Sequence, residues 1–237
     1  MLKVTTKVLI LLLTSTSLLQ AQTAADTRTP FRFGIHASPN LSFLSSNDGE
    51  VDGSLQAKFG FGLITEFNFA DNYSFSTGVE YVFRGAKGSF QPNNYTLEDG
   101  SSYDGRVVAE FKSGMVQIPV MLKMRTRPFG YYTYFADFGG SLNVNTAGQV
   151  NLKPTPTPNT NTDTGGQKPV DVAFGGVMFS IGLGGEYDLG GQTALLLGIY
   201  YNRSLFDNIS ADGQRVLGNK GNTYRFDYVN LKVGVLF

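Results

Sequence analysis

His36 is the residue best suited to proton transfer, because it is the only histidine in the sequence. Together with Ser38 and Asp137 it supplies the residue types of a hydrolytic triad, in which serine and base must lie within hydrogen-bonding reach. His36 and Ser38 are two positions apart on one face of an alternating segment, so their side chains begin roughly 6–7 Å apart in a strand. We therefore expect His36 to be a hydrogen-bonded interior histidine and not a catalytic base.

Glu66 and Glu80 form a second candidate group, because a pair of carboxylates can perform general acid/base chemistry. Arg84 and Lys123 fall on the same predicted interior faces, so we expect these carboxylates to be ion-paired. With one histidine and no cysteine, the chain offers no pattern for a transition-metal site, and no cofactor is expected. One acidic cluster does not match the spacing of a standard calcium-binding loop: Glu98, Asp99 and Asp104.

The composition indicates which elements must position these groups. Charged residues make up 16% of the chain, against roughly 25% in soluble domains. The chain is rich in glycine, with 29 residues, and its aromatic residues are all Phe and Tyr, which suits many strands in an apolar setting. Lys plus Arg equals Asp plus Glu, 19 each, so no net charge attracts nucleic acid.

Residues 1–21 have the pattern of a secretory signal peptide. Basic residues precede the aliphatic run Val8–Leu13, and a small-residue cleavage site follows at Ala21. The alternative is an anchoring helix, which would need ~20 apolar residues. No later stretch holds ~18 consecutive apolar residues. If residues 22–237 lie in a membrane, they must therefore cross it as a closed barrel.

The mature region contains eight segments that alternate apolar with polar or small residues, each long enough for the ~9–11 residues of a tilted membrane strand. They are Phe31–Leu44, Leu55–Phe69, Tyr73–Arg84, Val107–Met124, Tyr131–Val144, Val170–Tyr187, Thr193–Leu205 and Tyr224–Phe237. Short turns and long polar loops alternate between them, as in bacterial outer-membrane barrels. The short turns are Ala70–Asn72, Arg125–Gly130 and Asp188–Gln192. The long loops are Ser45–Ser54, Gly85–Arg106, Asn145–Pro169 and Phe206–Thr223. We predict an all-β, eight-stranded antiparallel up-and-down transmembrane β-barrel.

The two faces of these segments differ in a way that sets the barrel's orientation. One face is bulky and apolar, while the opposite face is mostly small or ionisable, as a narrow eight-stranded lumen requires. We therefore place the apolar faces against lipid, the alternative being a lipocalin-like soluble barrel with the faces reversed. The inward charges are nearly balanced and must be partnered if they are buried, which predicts a plugged lumen. This lumen network is Arg32, His36, Glu66, Glu80, Arg84, Lys123, Asp137, Glu186 and Lys232.

Two further features concern the ends of the segments. Aromatic residues near those ends predict interfacial girdles: Phe31, Phe69, Tyr73, Tyr131, Tyr132, Tyr187 and Tyr224. The Pro/Thr-rich stretch from Lys153 to Asp163 cannot build a core, so we expect a mobile, extended surface loop.

Four ordered motifs resemble the PorT-like outer-membrane β-barrel family of the Bacteroidetes. They are Phe33-Gly34-Ile35-His36-Ala37, Val116-Gln117-Ile118-Pro119-Val120-Met121-Leu122-Lys123, Gly182-Leu183-Gly184-Gly185-Glu186-Tyr187 and Tyr200-Tyr201-Asn202-Arg203-Ser204-Leu205. Ser38-Pro39 stands where the family usually has glycine, so a bend is expected there. The terminal Phe237 resembles the signal that the barrel-assembly machinery reads. The resemblance implies an outer-membrane protein, and the family's named member takes part in type IX secretion.

These observations lead us to expect a non-enzymatic outer-membrane barrel with a structural or interaction role in the envelope. The alternatives are a component of a type IX secretion assembly and, less favoured by the geometry, a small barrel enzyme. The expected partners are outer-membrane lipid, the barrel-assembly machinery during insertion and, in the second case, secretion-system proteins. No nucleic-acid partner is expected.

Overall fold

The computed structural model describes residues 29–46, 54–90, 95–96, 102–103, 107–154, 167–169, 175–206 and 224–237. The signal peptide predicted at residues 1–21 lies outside these ranges, as do residues 155–163 of the Pro/Thr-rich stretch and the acidic residues Glu98, Asp99 and Asp104. Within the described ranges, no helix is long and apolar enough to span a membrane.

Eight long strands form one closed sheet in which every strand runs antiparallel to both neighbours. They are β1 Phe31–Ser46, β2 Gln56–Ala70, β3 Tyr73–Phe90, β4 Val107–Arg125, β5 Tyr132–Pro154, β6 Gly175–Gly190, β7 Thr193–Ser204 and β8 Tyr224–Leu236. Chain order equals spatial order, and β8 pairs with β1 to close the barrel. Short strands at Tyr95–Thr96 and Ser102–Tyr103 pair with each other, and Gln167–Pro169 adds to the edge of β5. The predicted eight-stranded antiparallel barrel is confirmed.

The barrel closes with a stagger of ten residues. Starting from Arg32 and moving once around the barrel through paired residues, the path returns to β1 at Ser42, ten positions further along (42 − 32 = 10). The residues on this path are Glu66, Ser76, Met121, Gly139, Ser180, Asn202 and Tyr228. Stagger and strand number together set the tilt, which is typically ~35–45° in such barrels.

Most strand ends lie within three residues of the sequence prediction, and the main differences are on β3, β4 and β5. β3 continues to Phe90 and β5 continues to Pro154, although both stretches were assigned to loops. Their polar composition hides the alternation, but each gains a full ladder because β4, between them, runs out to Val107. β4 also includes Arg125, which the sequence analysis assigned to a turn.

The tight turns all lie at one end of the barrel, which we call the turn end. Gly130, Gly190 and Gly191 have φ values of 63°, 100° and 68°, in the left-handed region that glycine adopts most readily. β1 begins and β8 ends at this same end. There Phe237 donates its N–H to the carbonyl of Phe33 at 2.7 Å, and the two rings lie 5.4 Å apart.

The outer face of the barrel is apolar and exposed, whereas the inner face carries buried charges. Leu183 and Ile199 are 66% and 60% exposed, while Glu66 and Lys123 are 0% and 1% exposed. A soluble barrel would show the reverse, so this exterior is suited to lipid. The predicted girdle residues whose side chains are described are all exposed and gathered at the turn end: Phe31, Phe69, Tyr73, Tyr131, Tyr132 and Tyr187. The side chain of Tyr224 lies outside the described set.

The β1–β8 ladder has a short gap at Ser38-Pro39, where the sequence predicts a bend. Ala37 pairs with Val233 and Asn40 pairs with Asn230, so the register is the same on both sides of the gap. No residue is inserted here. The ladder is interrupted because proline has no N–H to donate.

A second gap, which we call the seam, separates the far ends of β2 and β3. Their ladder stops at the pair Gly60 and Val82, and contact resumes only where the N–H of Ser54 donates to the carbonyl of Lys87 at 2.8 Å. Two β1 side chains fill the space between. Asn40 Nδ2 donates to the carbonyl of Phe83 at 3.1 Å, and Ser42 Oγ donates to the carbonyl of Gly85 at 2.8 Å and accepts its N–H at 3.0 Å.

Candidate functional site

The barrel interior is the candidate site, and its turn-end half contains five charged side chains that we call the basal cluster: Arg32, Glu66, Lys123, Arg125 and Glu186. Lys123 Nζ lies 2.6 Å from one oxygen of each glutamate. Arg125 also bridges both glutamates, and Arg32 Nη1 donates to Glu186 Oε2 at 2.9 Å. These side chains come from β1, β2, β4 and β6 and are at most 12% exposed. The cluster therefore joins strands on opposite sides of the lumen.

A central cluster lies deeper in the interior and consists of His36, Glu80 and Lys232. Lys232 Nζ lies 2.5 Å from Glu80 Oε1. His36 Nε2 lies 3.3 Å from the same oxygen, although the alignment does not make a hydrogen bond. Lys232 also lies over the ring of Tyr200, with its Nζ 4.8 Å from the ring centroid. One carboxylate therefore faces both a lysine and the only histidine.

Glycine positions on β6 make room for the aromatic rings inside. Gly182 pairs with Asp137 on one side and with Tyr200 on the other. A Cβ atom at Gly182 would collide with the Tyr200 ring, so glycine lets this ring lie across β6. Tyr200 then donates its hydroxyl to Asp137 Oδ2 at 2.5 Å, two strands away.

Between the central cluster and the loop end, neutral polar groups cross the lumen. Tyr228 donates its hydroxyl to Gln117 Oε1 at 2.8 Å, linking β8 to β4 across the interior. Asn202 Nδ2 donates to Asn230 Oδ1 at 2.8 Å and Asn202 Oδ1 accepts from Ser180 at 2.7 Å. These groups satisfy one another without net charge.

An apolar layer lies at the loop side of the described interior. Its members are buried and come from β1, β3, β4 and β8: Leu44, Ala86, Phe111 and Phe226. Arg84 lies next to this layer, with its guanidinium carbon 5.3 Å from the centroid of the Phe226 ring. Its Nη2 donates to Asn145 Oδ1 at 2.7 Å.

The cavities lined by described residues are large at the turn end and small around the central cluster. A cavity of about 590 Å³ opens at the turn end beside Arg32, Glu186 and Gln192. The cavities around Glu80, Tyr200 and Lys232 measure only about 20 Å³ each. A space of roughly this size holds about one water molecule.

The triad residue types do not form a triad. His36 contacts Glu80, and Asp137 binds the hydroxyl of Tyr200. All three triad residues are at most 6% exposed. In the described part of the chain, no group of three His, Cys, Asp or Glu residues is placed to hold a metal ion.

All nine residues of the expected lumen network lie inside the barrel, eight of them buried and Arg32 nearly so, with a side chain 12% exposed. The structure brings four of them together in the basal cluster and three in the central cluster, while Asp137 binds Tyr200 and Arg84 is separate from the other charges. The expected network did not include Arg125, Tyr200 or Tyr228, although alternation places Tyr228 on the inward face of β8. Arg125 could have been found by extending the inward alternation of β4 by one step beyond Lys123.

Residues 20–210 match the model of a family described as "Outer membrane protein beta-barrel domain". No curated protein matches the chain. Among solved structures, the outer membrane protein OprG of Pseudomonas aeruginosa is 12% identical, with 89% of this chain and 97% of that chain covered and a TM-score of 0.48. Neisserial surface protein A is 11% identical (86% and 95% covered, TM-score 0.44). The outer membrane protease OmpT of Escherichia coli is 10% identical (92% and 99% covered, TM-score 0.43). At these identities the likeness concerns the fold alone.

Proposed function

The chain belongs to the family of outer membrane protein β-barrel domains, and from this premise we propose that it is a non-enzymatic outer-membrane barrel whose lumen is plugged by its own side chains. Its role in the envelope is then either structural or one of interaction with a partner. The lipid-facing wall holds it in the membrane, and the connections on the loop side are presented to the exterior.

The packed interior supports this proposal. The basal cluster ties strands across the lumen with ion pairs, and the described cavities beyond it hold about one water molecule each. Ions crossing such a lumen would have to separate buried charge pairs, which costs several kcal/mol for each uncompensated charge. His36 contacts Glu80 and Asp137 binds the hydroxyl of Tyr200, so the triad residue types do not assemble into a hydrolytic group.

Planar-bilayer recording tests the plugged lumen. The wild-type protein should add no steady conductance. A variant that removes two carboxylates and two cations together, E66A/K123A/R125A/E186A, leaves the net charge of the interior unchanged and should conduct more than the wild-type protein through the space it vacates. Large steady channels from the wild-type protein would refute the proposal.

A matched control removes a charged pair outside the lumen. Lys87 on β3 and Glu110 on β4 lie 3.9 Å apart near the loop end of the barrel wall and are partly exposed. The variant K87Q/E110Q should remain non-conducting. Conductance from this control would mean that charge loss alone opens the barrel, independently of the basal cluster.

Export through a cleaved signal peptide is part of this proposal. Cleavage after Ala21 should give a mature protein beginning at Gln22, which intact-mass measurement of membrane-extracted protein would detect. A protein that retains residues 1–21 in the outer membrane would contradict it.

We further propose, on the ordered motifs quoted above, that the barrel is PorT-like and of Bacteroidetes type. That affiliation makes participation in a type IX secretion assembly the second candidate function. Co-purification from gently solubilised membranes distinguishes the two roles. A stable complex with secretion proteins supports the second, whereas an isolated barrel and an unchanged set of secreted proteins after gene deletion support the first.

A further inference from the structure

One buried cation has no carboxylate partner in the described part of the barrel interior. Apart from the partly buried Lys58, which lies opposite Asn40 and beside Gly85 at the seam, the described inward-facing cations outnumber the inward-facing carboxylates by five to four: Arg32, Arg84, Lys123, Arg125 and Lys232 against Glu66, Glu80, Asp137 and Glu186. Four of these cations lie within 4.0 Å of a carboxylate. Among the described residues, Arg84 has no carboxylate within that distance and is the unmatched charge.

Arg84 is buried to the same degree as the paired lysine of the basal cluster, with 1% of its surface exposed. Its Nη2 reaches Asn145, but its Nε and Nη1 have no hydrogen-bond partner. A guanidinium does not lose its proton in proteins, so it cannot escape burial by becoming neutral. An uncompensated buried charge is strongly unfavourable, and this position therefore calls for a countercharge.

A second unpartnered group lies beside it. Ser113 is directly opposite Arg84 in the β3–β4 ladder, and both side chains face inward. Side chains opposed in this way begin roughly 4.5–5.5 Å apart. Ser113 is 8% exposed and its Oγ makes no hydrogen bond. Unpartnered guanidinium N–H groups and an unpartnered hydroxyl therefore occupy directly opposed positions on neighbouring strands.

We propose that Arg84 and Ser113 bind a small carboxylate from the outside of the cell. A carboxylate carries the single charge needed to offset Arg84, and its planar oxygens suit guanidinium donors better than a spherical ion does. The apolar layer is the second feature that determines which ligand binds. Phe226 packs against the guanidinium and against Phe111, so the ligand's carbon chain meets apolar surface. This site lies at the opposite end of the lumen from the open cavity beside Arg32.

The test measures the stability of the full mature chain, folded in detergent micelles, against urea at constant pH and ionic strength. Sodium chloride, sodium acetate and sodium butyrate are the probes. A carboxylate at ten times its dissociation constant should raise the folding equilibrium constant about elevenfold. Butyrate should bind more tightly than acetate, by roughly fourfold for each methylene that becomes buried. Chloride should have the smallest effect.

Three variants assign the effect to the site. R84Q should lose the dependence on carboxylate. S113A should be as stable as the wild type in the absence of carboxylate but should bind acetate roughly three- to tenfold more weakly. If R84Q does not fold, S113A alone tests whether carboxylate binds at this site. R203Q is the control. Arg203 is an exposed arginine on the outside of β7, so R203Q should show the same dependence of stability on carboxylate as the wild type.

Several results would overturn the proposal. A wild-type protein with no carboxylate dependence would mean that no exchangeable anion offsets Arg84. Equal dependence in wild type and R84Q, or in wild type and S113A when R84Q does not fold, would place any binding elsewhere. An effect of chloride equal to that of butyrate would show a general salt effect and not a carboxylate site.

Discussion

Replacing Lys123 by methionine tests whether the basal cluster stabilises the barrel. Lys123 Nζ lies 2.6 Å from both Glu66 and Glu186, and the lysine side chain is 1% exposed. K123M retains the volume of the side chain but leaves two buried carboxylates with one cation fewer. Breaking a buried ion pair by removing one partner typically costs about 3–5 kcal/mol.

K123M should lose less stability than two broken ion pairs would suggest, because Arg125 still bridges both glutamates. We therefore expect about 3 kcal/mol, the lower end of that range. With a urea dependence of roughly 1–3 kcal/mol per molar, the midpoint should fall by at least about 1 M. Because the chain has no tryptophan, unfolding in lipid vesicles is best followed by circular dichroism or by the gel mobility of the folded form.

The double variant K123M/E66Q separates charge imbalance from lost packing. Neutralising Glu66 removes the carboxylate left unpaired, so the double variant should recover part of the loss. An unchanged midpoint for K123M would refute the view that this cluster stabilises the fold. A double variant less stable than K123M by the full cost of a second independent change would refute the charge-balance argument.

Three further outcomes are expected. G182A should lower the free energy of unfolding by about 1–3 kcal/mol and alter the near-ultraviolet circular dichroism of Tyr200, because the added methyl enters the space of that ring. An unperturbed spectrum would contradict the packing described. L183R on the lipid face should cost about 2–4 kcal/mol, and L189R near the turn end at most about 1 kcal/mol, in vesicle unfolding; equal costs would contradict the membrane position of the wall. F237A should fold normally in detergent but accumulate poorly in the outer membrane, as measured by fractionation, if the terminal aromatic is read during assembly; normal accumulation would rule that role out.

The strand pattern was predictable wherever side chains alternate between lipid and lumen. In β2, Phe59 to Phe69 face outward at every second position, and this contrast does not depend on tertiary contacts. The outer ends of β3 and β5 were not predictable in this way. Both stretches are polar, and each is a strand because the neighbouring β4 offers backbone partners out to Val107.

The interior charges were predictable as a set but not as pairs. Alternation places Lys123 and Glu66 inside, but their contact depends on the ten-residue stagger, which no local pattern encodes. The same holds for Tyr200 and Asp137, whose meeting requires a glycine at position 182 on the strand between them. Arg84 could be named as an interior residue, but only the charge balance of the folded barrel shows that it is unmatched.

The seam has a consequence for how this barrel can diversify. Along most of the wall, neighbouring strands are held by backbone groups, which every residue except proline supplies, so single substitutions leave those bonds intact. At the seam, β3 is held by the side chains of Asn40 and Ser42 instead. One codon change at either position deletes a bond between strands. A single substitution can therefore loosen the wall at the seam, whereas the backbone ladders elsewhere tolerate most substitutions.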